Sequence, residues 1–273
     1  MKLAINQATT MKATFEQDVA AYAAAGFQAV ELWLDKLTPY AEKGALGQAR
    51  RLLDDHGLTA VSACYHAGVM LSRGEERARN LDQFRAKLEL CHAMGCPVLI
   101  VPTDFPAGDV KREDYDRAAA GLAGAADVAA PYGISLAVEF IKGAKLIGSL
   151  QTTLRLVRAA GRPNVGALFD TFHFYAGVSK TEDILDAQPD ELLFVHLNDV
   201  SDVPIEIARD SDRVPPGDGV MPLRTILEAL AGAGYDGHLS VELFAEDLWA
   251  MSAHDAARLV YDRSAAFLED LGL

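Results

Sequence analysis

The stretch "VGALFDTFHFYAGV", residues 165–178, decides the reading. It begins as a buried strand, with Val165, Ala167, Leu168 and Phe169 all apolar. Asp170 and His173 follow at the point where such a strand opens into a loop. A carboxylate and an imidazole at the mouth of an apolar strand are costly unless something there uses their charge.

Similar apolar runs recur on both sides. They are 2–6, 29–33, 60–65, 97–103, 134–140, 164–170, 192–198 and 238–244, eight in all. Between them lie amphipathic stretches such as "TFEQDVAAYAAAG", "LGQARRLLDDHG" and "LDQFRAKLELCHAMG". Their apolar residues recur at helical spacing, and Gly26, Gly57 and Gly95 stand where helix C-caps are expected. Eight strand–helix repeats in 273 residues predict an α/β fold, a single (β/α)8 TIM barrel. A doubly wound open sheet would carry a glycine-rich phosphate loop after its first strand, and "NQATT" has no glycine. No Pro/Gly/Ser-rich linker divides the chain, so residues 1–273 are read as one domain. The longest connection, "DVSDVPIEIARDSDRVPPGDGVMPL" (199–223), is expected to be an ordered loop over the barrel mouth.

Charge narrows the function classes. Lys and Arg number 25 against 39 Asp and Glu, a formal charge of −14 that opposes nucleic acid and anionic lipid as partners. Cys64, Cys91 and Cys96 lack framework or zinc spacing and are expected to be buried thiols. The opening "MKLAINQATT" has no apolar signal core, and no run approaches a membrane span. The expectation is a cytoplasmic protein, with homo-oligomerisation left open.

In such barrels the chemistry sits at the C-terminal strand ends. Strand two ends near Glu31, strand three near His66 and strand five at Glu139. Strand six offers Asp170 and His173, strand seven His196, Asn198 and Asp199, and strand eight Glu242. Any one of these alone reads as a loop partner. Acidic and imidazole groups on four consecutive strands converge on one mouth, where buried carboxylates repel unless a cation neutralises them. Three carboxylates and an imidazole suit one divalent ion, Mn²⁺, Mg²⁺ or Co²⁺, with Zn²⁺ also acceptable.

The motifs "VEF" (138–140), "FDTFH" (169–173), "VHLND" (195–199), "DRVPPGDG" (212–219) and "SVELF" (240–244) resemble those of the xylose-isomerase-like TIM barrels, the sugar isomerase/epimerase superfamily that includes endonuclease IV. "INQATT", "DTFHFYAG" and "DRVPPGDG" resemble the inosose (2-keto-myo-inositol) isomerase group within it. The resemblance implies a metal held by Glu139, Asp170, His196 and Glu242. It implies catalytic proton transfer by Glu139 and Glu242, and substrate binding by His173 and Arg213. His66 is a further candidate substrate contact. Trp33 and Phe244 are candidates to stack on a ring, and Glu246 to rim the pocket. The expected enzyme is a metal-dependent isomerase or epimerase of a small keto-sugar or keto-polyol, working through an enediolate. A dehydratase of the 3-dehydroshikimate type is the alternative, favoured if Lys142 grips a substrate carboxylate. An endonuclease IV-like nuclease is opposed by the charge and by too few histidines, and a non-catalytic sugar binder by the paired glutamates.

Overall fold

The computed structural model describes residues 1–273. Eight parallel strands close into a barrel in the order one, eight, seven, six, five, four, three, two. They are Lys2–Asn6, Ala29–Trp33, Thr59–Cys64, Val98–Pro102, Ser135–Glu139, Val165–Asp170, Leu192–Leu197 and His238–Val241, counted here as strands one to eight. The expected runs match these closely, although the last, 238–244, stops at Val241. There the Thr9 hydroxyl donates to the Val241 carbonyl and accepts from the Leu243 amide, ending the ladder. No helix is long and apolar enough to cross a membrane.

Side chains alternate across a strand, so every second residue faces the barrel axis. Ala4, Ala29, Ile100, Ala137, Leu168 and Phe194 form a small buried cluster with Val61 and Cys64, distinct from the 68-residue core under the helices. Two residues further along five of these strands stand Asn6, Glu31, Glu139, Asp170 and His196, all buried. The parity that puts an apolar plug inside the barrel therefore puts a polar layer directly above it. That layer is why residue 170 is a carboxylate.

The helices follow the expected caps. Gly26 ends the helix Phe15–Ala25 at φ +114°, and a Cβ there would meet the Tyr261 ring at 2.8 Å. Gly95 ends the helix Gly74–Met94. Gly57 lies one residue beyond the cap of the helix Leu46–Asp55, which is His56. All three cysteines are free and buried.

The connection after strand seven is ordered. Asp199–Val200 and Arg213–Val214 pair as a short antiparallel ribbon. Asp199 organises it: its carboxylate accepts from the amides of Val200 (2.8 Å), Met221 (3.0 Å) and Gly217 (3.2 Å). Gly219 packs so closely that a Cβ would lie 2.3 Å from both Asp199 Oδ1 and the Val200 carbonyl. Asp199→Ala leaves three amides without their acceptor and should lower unfolding free energy by about 1–3 kcal/mol. Urea denaturation reads the loss, and limited proteolysis should become faster within 201–212.

Candidate metal centre and active site

Four side chains converge at the C-terminal end of the barrel. Glu139, Asp170, His196 and Glu242 are all buried, and one ligand atom from each lies within 4.8 Å of the others. His196 Nδ1 is 3.2 Å from Glu242 Oε2, 3.4 Å from Glu139 Oε1 and 3.5 Å from Asp170 Oδ2. It makes no hydrogen bond. The other ring nitrogen, Nε2, donates to Glu31 Oε1 at 3.0 Å. A buried imidazole nitrogen facing three carboxylates needs a positive centre, a dication or a further proton. The donors, three hard oxygens and one nitrogen, fit a divalent ion.

The electrostatics are strongly perturbed. Burial alone would lower the His196 pKa, but the charges of Glu242 and Glu31 win and raise it well above the usual imidazole range. Burial pushes Asp170 up, yet the adjacent Arg213 and then His173 hold it far below the usual carboxylate range. Burial raises Glu242 in spite of His196 and Arg213.

Arg213 reaches the centre from the ribbon. Its Nη1 donates to Asp170 Oδ2 at 2.9 Å and Glu242 Oε2 at 2.8 Å. Its Nη2 donates to Asp210 at 2.7 Å and to His173 Nε2 at 3.3 Å. The guanidinium carbon sits 4.9 Å from the Phe172 ring centre and 5.5 Å from that of Phe244. Such stacking suits a planar, weakly hydrated cation.

Above these groups opens a cavity of about 460 Å³. Glu139, Glu242, His173 and Arg213 form its polar side, while Trp33, Tyr65, Phe105 and Phe244 supply aromatic wall. Such a mix of apolar wall and few convergent polar groups is the usual character of a small-molecule site.

A model of one family matches residues 19–271, and its description is "Xylose isomerase-like TIM barrel". The chain belongs to the xylose isomerase-like TIM barrel family. Among its relatives is an inosose isomerase of Bacillus velezensis, 29% identical over 272 residues, covering 97% of this chain and 96% of that one. The inosose isomerase of Bacillus subtilis is 29% identical over 262 residues, with 94% of each covered. A 3-dehydroshikimate dehydratase of Pseudomonas putida is 26% identical over 237 residues, but these span 37% of that longer protein. In structure, the chain resembles the IOLI protein crystallised with a zinc atom, at a TM-score of 0.93 and 24% identity over 99% of both chains.

Within this member of the family, the structure brings Glu139, Asp170, His173, His196, Arg213 and Glu242 together, with Trp33 and Phe244 on the cavity wall. Three of the residues considered from the sequence lie off this wall. His66 does not line the cavity: its Nε2 donates to Asn80 Oδ1, and its ring packs on Phe84 at 5.1 Å. Lys142 is also absent from the wall, because its ammonium donates to the Ala208 carbonyl and lies over the Phe172 ring. Lys142 thus ties the mouth loop down. Glu246 opens the helix Glu246–Ala250 and is not on the wall either. Sequence reading missed Asn6, which donates to Glu242 Oε1 at 3.0 Å, and left Glu31 without a role. Their inward parity, shared with the plug residues Ala4 and Ala29, was the signal that could have found both.

Burial, reinforced by Lys87, pulls the His66 pKa down from 6.5 to about 4. The folded state therefore resists a proton that the unfolded chain takes up. This contribution is intact above pH 6.5 and is lost as pH falls towards 4. In urea unfolding between pH 7 and pH 4.5 that slope should appear as the difference between wild type and His66→Gln, because Asp18, raised by burial to about 6, titrates in the same window with the opposite sign.

Proposed function

We propose that the protein is a divalent-metal-dependent isomerase of a small neutral keto-polyol, with an inosose the best specific substrate. The observation that carries this reading is His196 Nδ1, buried, unpartnered and facing three carboxylates beneath an aromatic-walled cavity. The inosose isomerase relatives, matched over nearly their whole length, point the same way.

Glu139, Asp170, His196 and Glu242 would hold the metal. A bound dication supplies Lewis-acid charge for the oxyanion that develops when a proton leaves the carbon beside a carbonyl. The chain's own residues handle the protons. Glu242 is held by Asn6 and Arg213, whereas the Glu139 carboxylate accepts no hydrogen bond within the protein and borders the cavity. Glu139 is therefore the better-placed base for the C–H proton. The C–H electron pair moves into the new C=C bond, and the carbonyl electrons move onto oxygen, giving the enediolate. The neighbouring hydroxyl passes its proton to the former carbonyl oxygen and becomes the new carbonyl, while the former carbonyl carbon takes a proton from Glu242, which enters this step protonated. Glu139 then releases its proton and Glu242 regains one, so the chain returns to its starting state. Arg213 keeps Asp170 and Glu242 in place during this exchange, and His173, whose Nε2 accepts from Arg213, borders the same cavity.

The wall chemistry favours a neutral substrate. Arg213 is the only Lys or Arg on it, and its Nη donors are already engaged by Asp170, Glu242, Asp210 and His173. A carboxylate-bearing substrate, as a dehydroshikimate dehydratase takes, finds no free cation there. Lys142, which favoured that alternative, is spent on Ala208.

In D₂O with Mn²⁺, the protein should incorporate deuterium beside the carbonyl of 2-keto-myo-inositol and shift that carbonyl to the neighbouring carbon. Glu139→Gln should slow exchange by about 10²–10⁴-fold. Stripping the metal with a chelator should abolish turnover, and adding it back should restore it. Full exchange in the stripped protein or in Glu139→Gln refutes the reading.

A further inference from the structure

We propose that Glu31 is a positioning residue that sets the tautomer and aim of His196 and thereby tunes metal affinity at the centre. The inference rests on the metal reading above and extends it to a residue outside the ligand set.

Glu31 is completely buried, on strand two, inside the barrel. An apolar side chain there would avoid the desolvation of a carboxylate. Strand two also breaks register at this point: Val30 pairs with Ala60, but Glu31 pairs with Ser62. Such irregularities re-aim a side chain. Here the result is Glu31 Oε1 at 3.0 Å from His196 Nε2. The Cys64 thiol donates to the same oxygen at 3.1 Å. An ionised carboxylate carries no hydrogen, so the hydrogen in the Glu31–His196 contact belongs to Nε2. In the neutral ring, Nδ1 is then a bare lone pair, and it points at Glu139, Asp170 and Glu242. Without Glu31 the ring could carry its hydrogen on Nδ1 or swing away. A carboxylate on the far nitrogen also makes the near one a stronger donor.

The test uses full-length protein and zinc ion alone, with affinity read by competition against a chromophoric chelator. Glu31→Leu should bind zinc about 10–100-fold more weakly than wild type. Its melting temperature should fall, because the buried Nε2–H and the Cys64 thiol lose their acceptor, so affinity and tautomer rather than stability are the deciding readouts. Glu31→Gln, whose amide oxygen still accepts from Nε2–H, should recover part of the loss. Ring ¹⁵N shifts should show Nε2 protonated in zinc-loaded wild type and that preference weakened in Glu31→Leu. A merely structural role would move the melting temperature and leave tautomer and affinity alone.

Equal zinc affinity in wild type and Glu31→Leu overturns the proposal while leaving the metal reading intact. Cobalt binding as two equivalents with a thiolate-to-metal absorption band also overturns it, because Nε2, Cys64 and Glu31 would then be ligands. Absence of zinc binding by the wild type overturns both readings.

Discussion

Four carboxylates, Glu31, Glu139, Asp170 and Glu242, are buried around one imidazole and one guanidinium. Their mutual repulsion is the constraint to which the rest of the architecture answers. Such a cluster survives only where each oxygen has a donor or faces a cation. The barrel meets most of this demand by drawing donors from strands one, three and seven, in Asn6, Cys64 and His196, and by folding Arg213 back from the mouth loop, while Glu31 Oε2 stays without a hydrogen-bond partner. The loop therefore does more than border the cavity. Its guanidinium is part of the charge balance at the base, and Asp199 and Lys142 secure the ribbon and loop that carry it.

The strand pattern made the barrel legible. Eight apolar runs with helical segments between them leave few other folds, and short strands buried on both faces read as unbroken apolar stretches. The convergence of Glu139, Asp170, His196 and Glu242 on one mouth was legible for a related reason. Asp170 and His196 each interrupt such a run near its end, where burial makes an ionisable group conspicuous. Glu31 interrupts its run in the same way, but no local pattern separates a candidate ligand from the residue behind one.

What the sequence could not carry was the destination of residues on loops. His66 follows a strand directly and looked equivalent to His173, yet the chain turns it towards Asn80 and Phe84. Lys142 and Arg213 are both cations near the mouth, and only the ribbon's pairing separates one that clamps a loop from one that enters the centre. Asn6 touches Glu242 across 236 positions, a separation that no local pattern encodes.

That last contact bears on how the centre comes into being. Strand one pairs with strand eight as well as strand two, and Asn6 completes its hydrogen bonding only against Glu242. During synthesis the early strands emerge long before their final partner, at roughly 5–20 residues per second. For that interval the acids of strands two, five and six lack the seam that shuts them from water. The four-residue constellation proposed to hold an ion therefore assembles only once strand eight has joined strand one, with the closure of the ring.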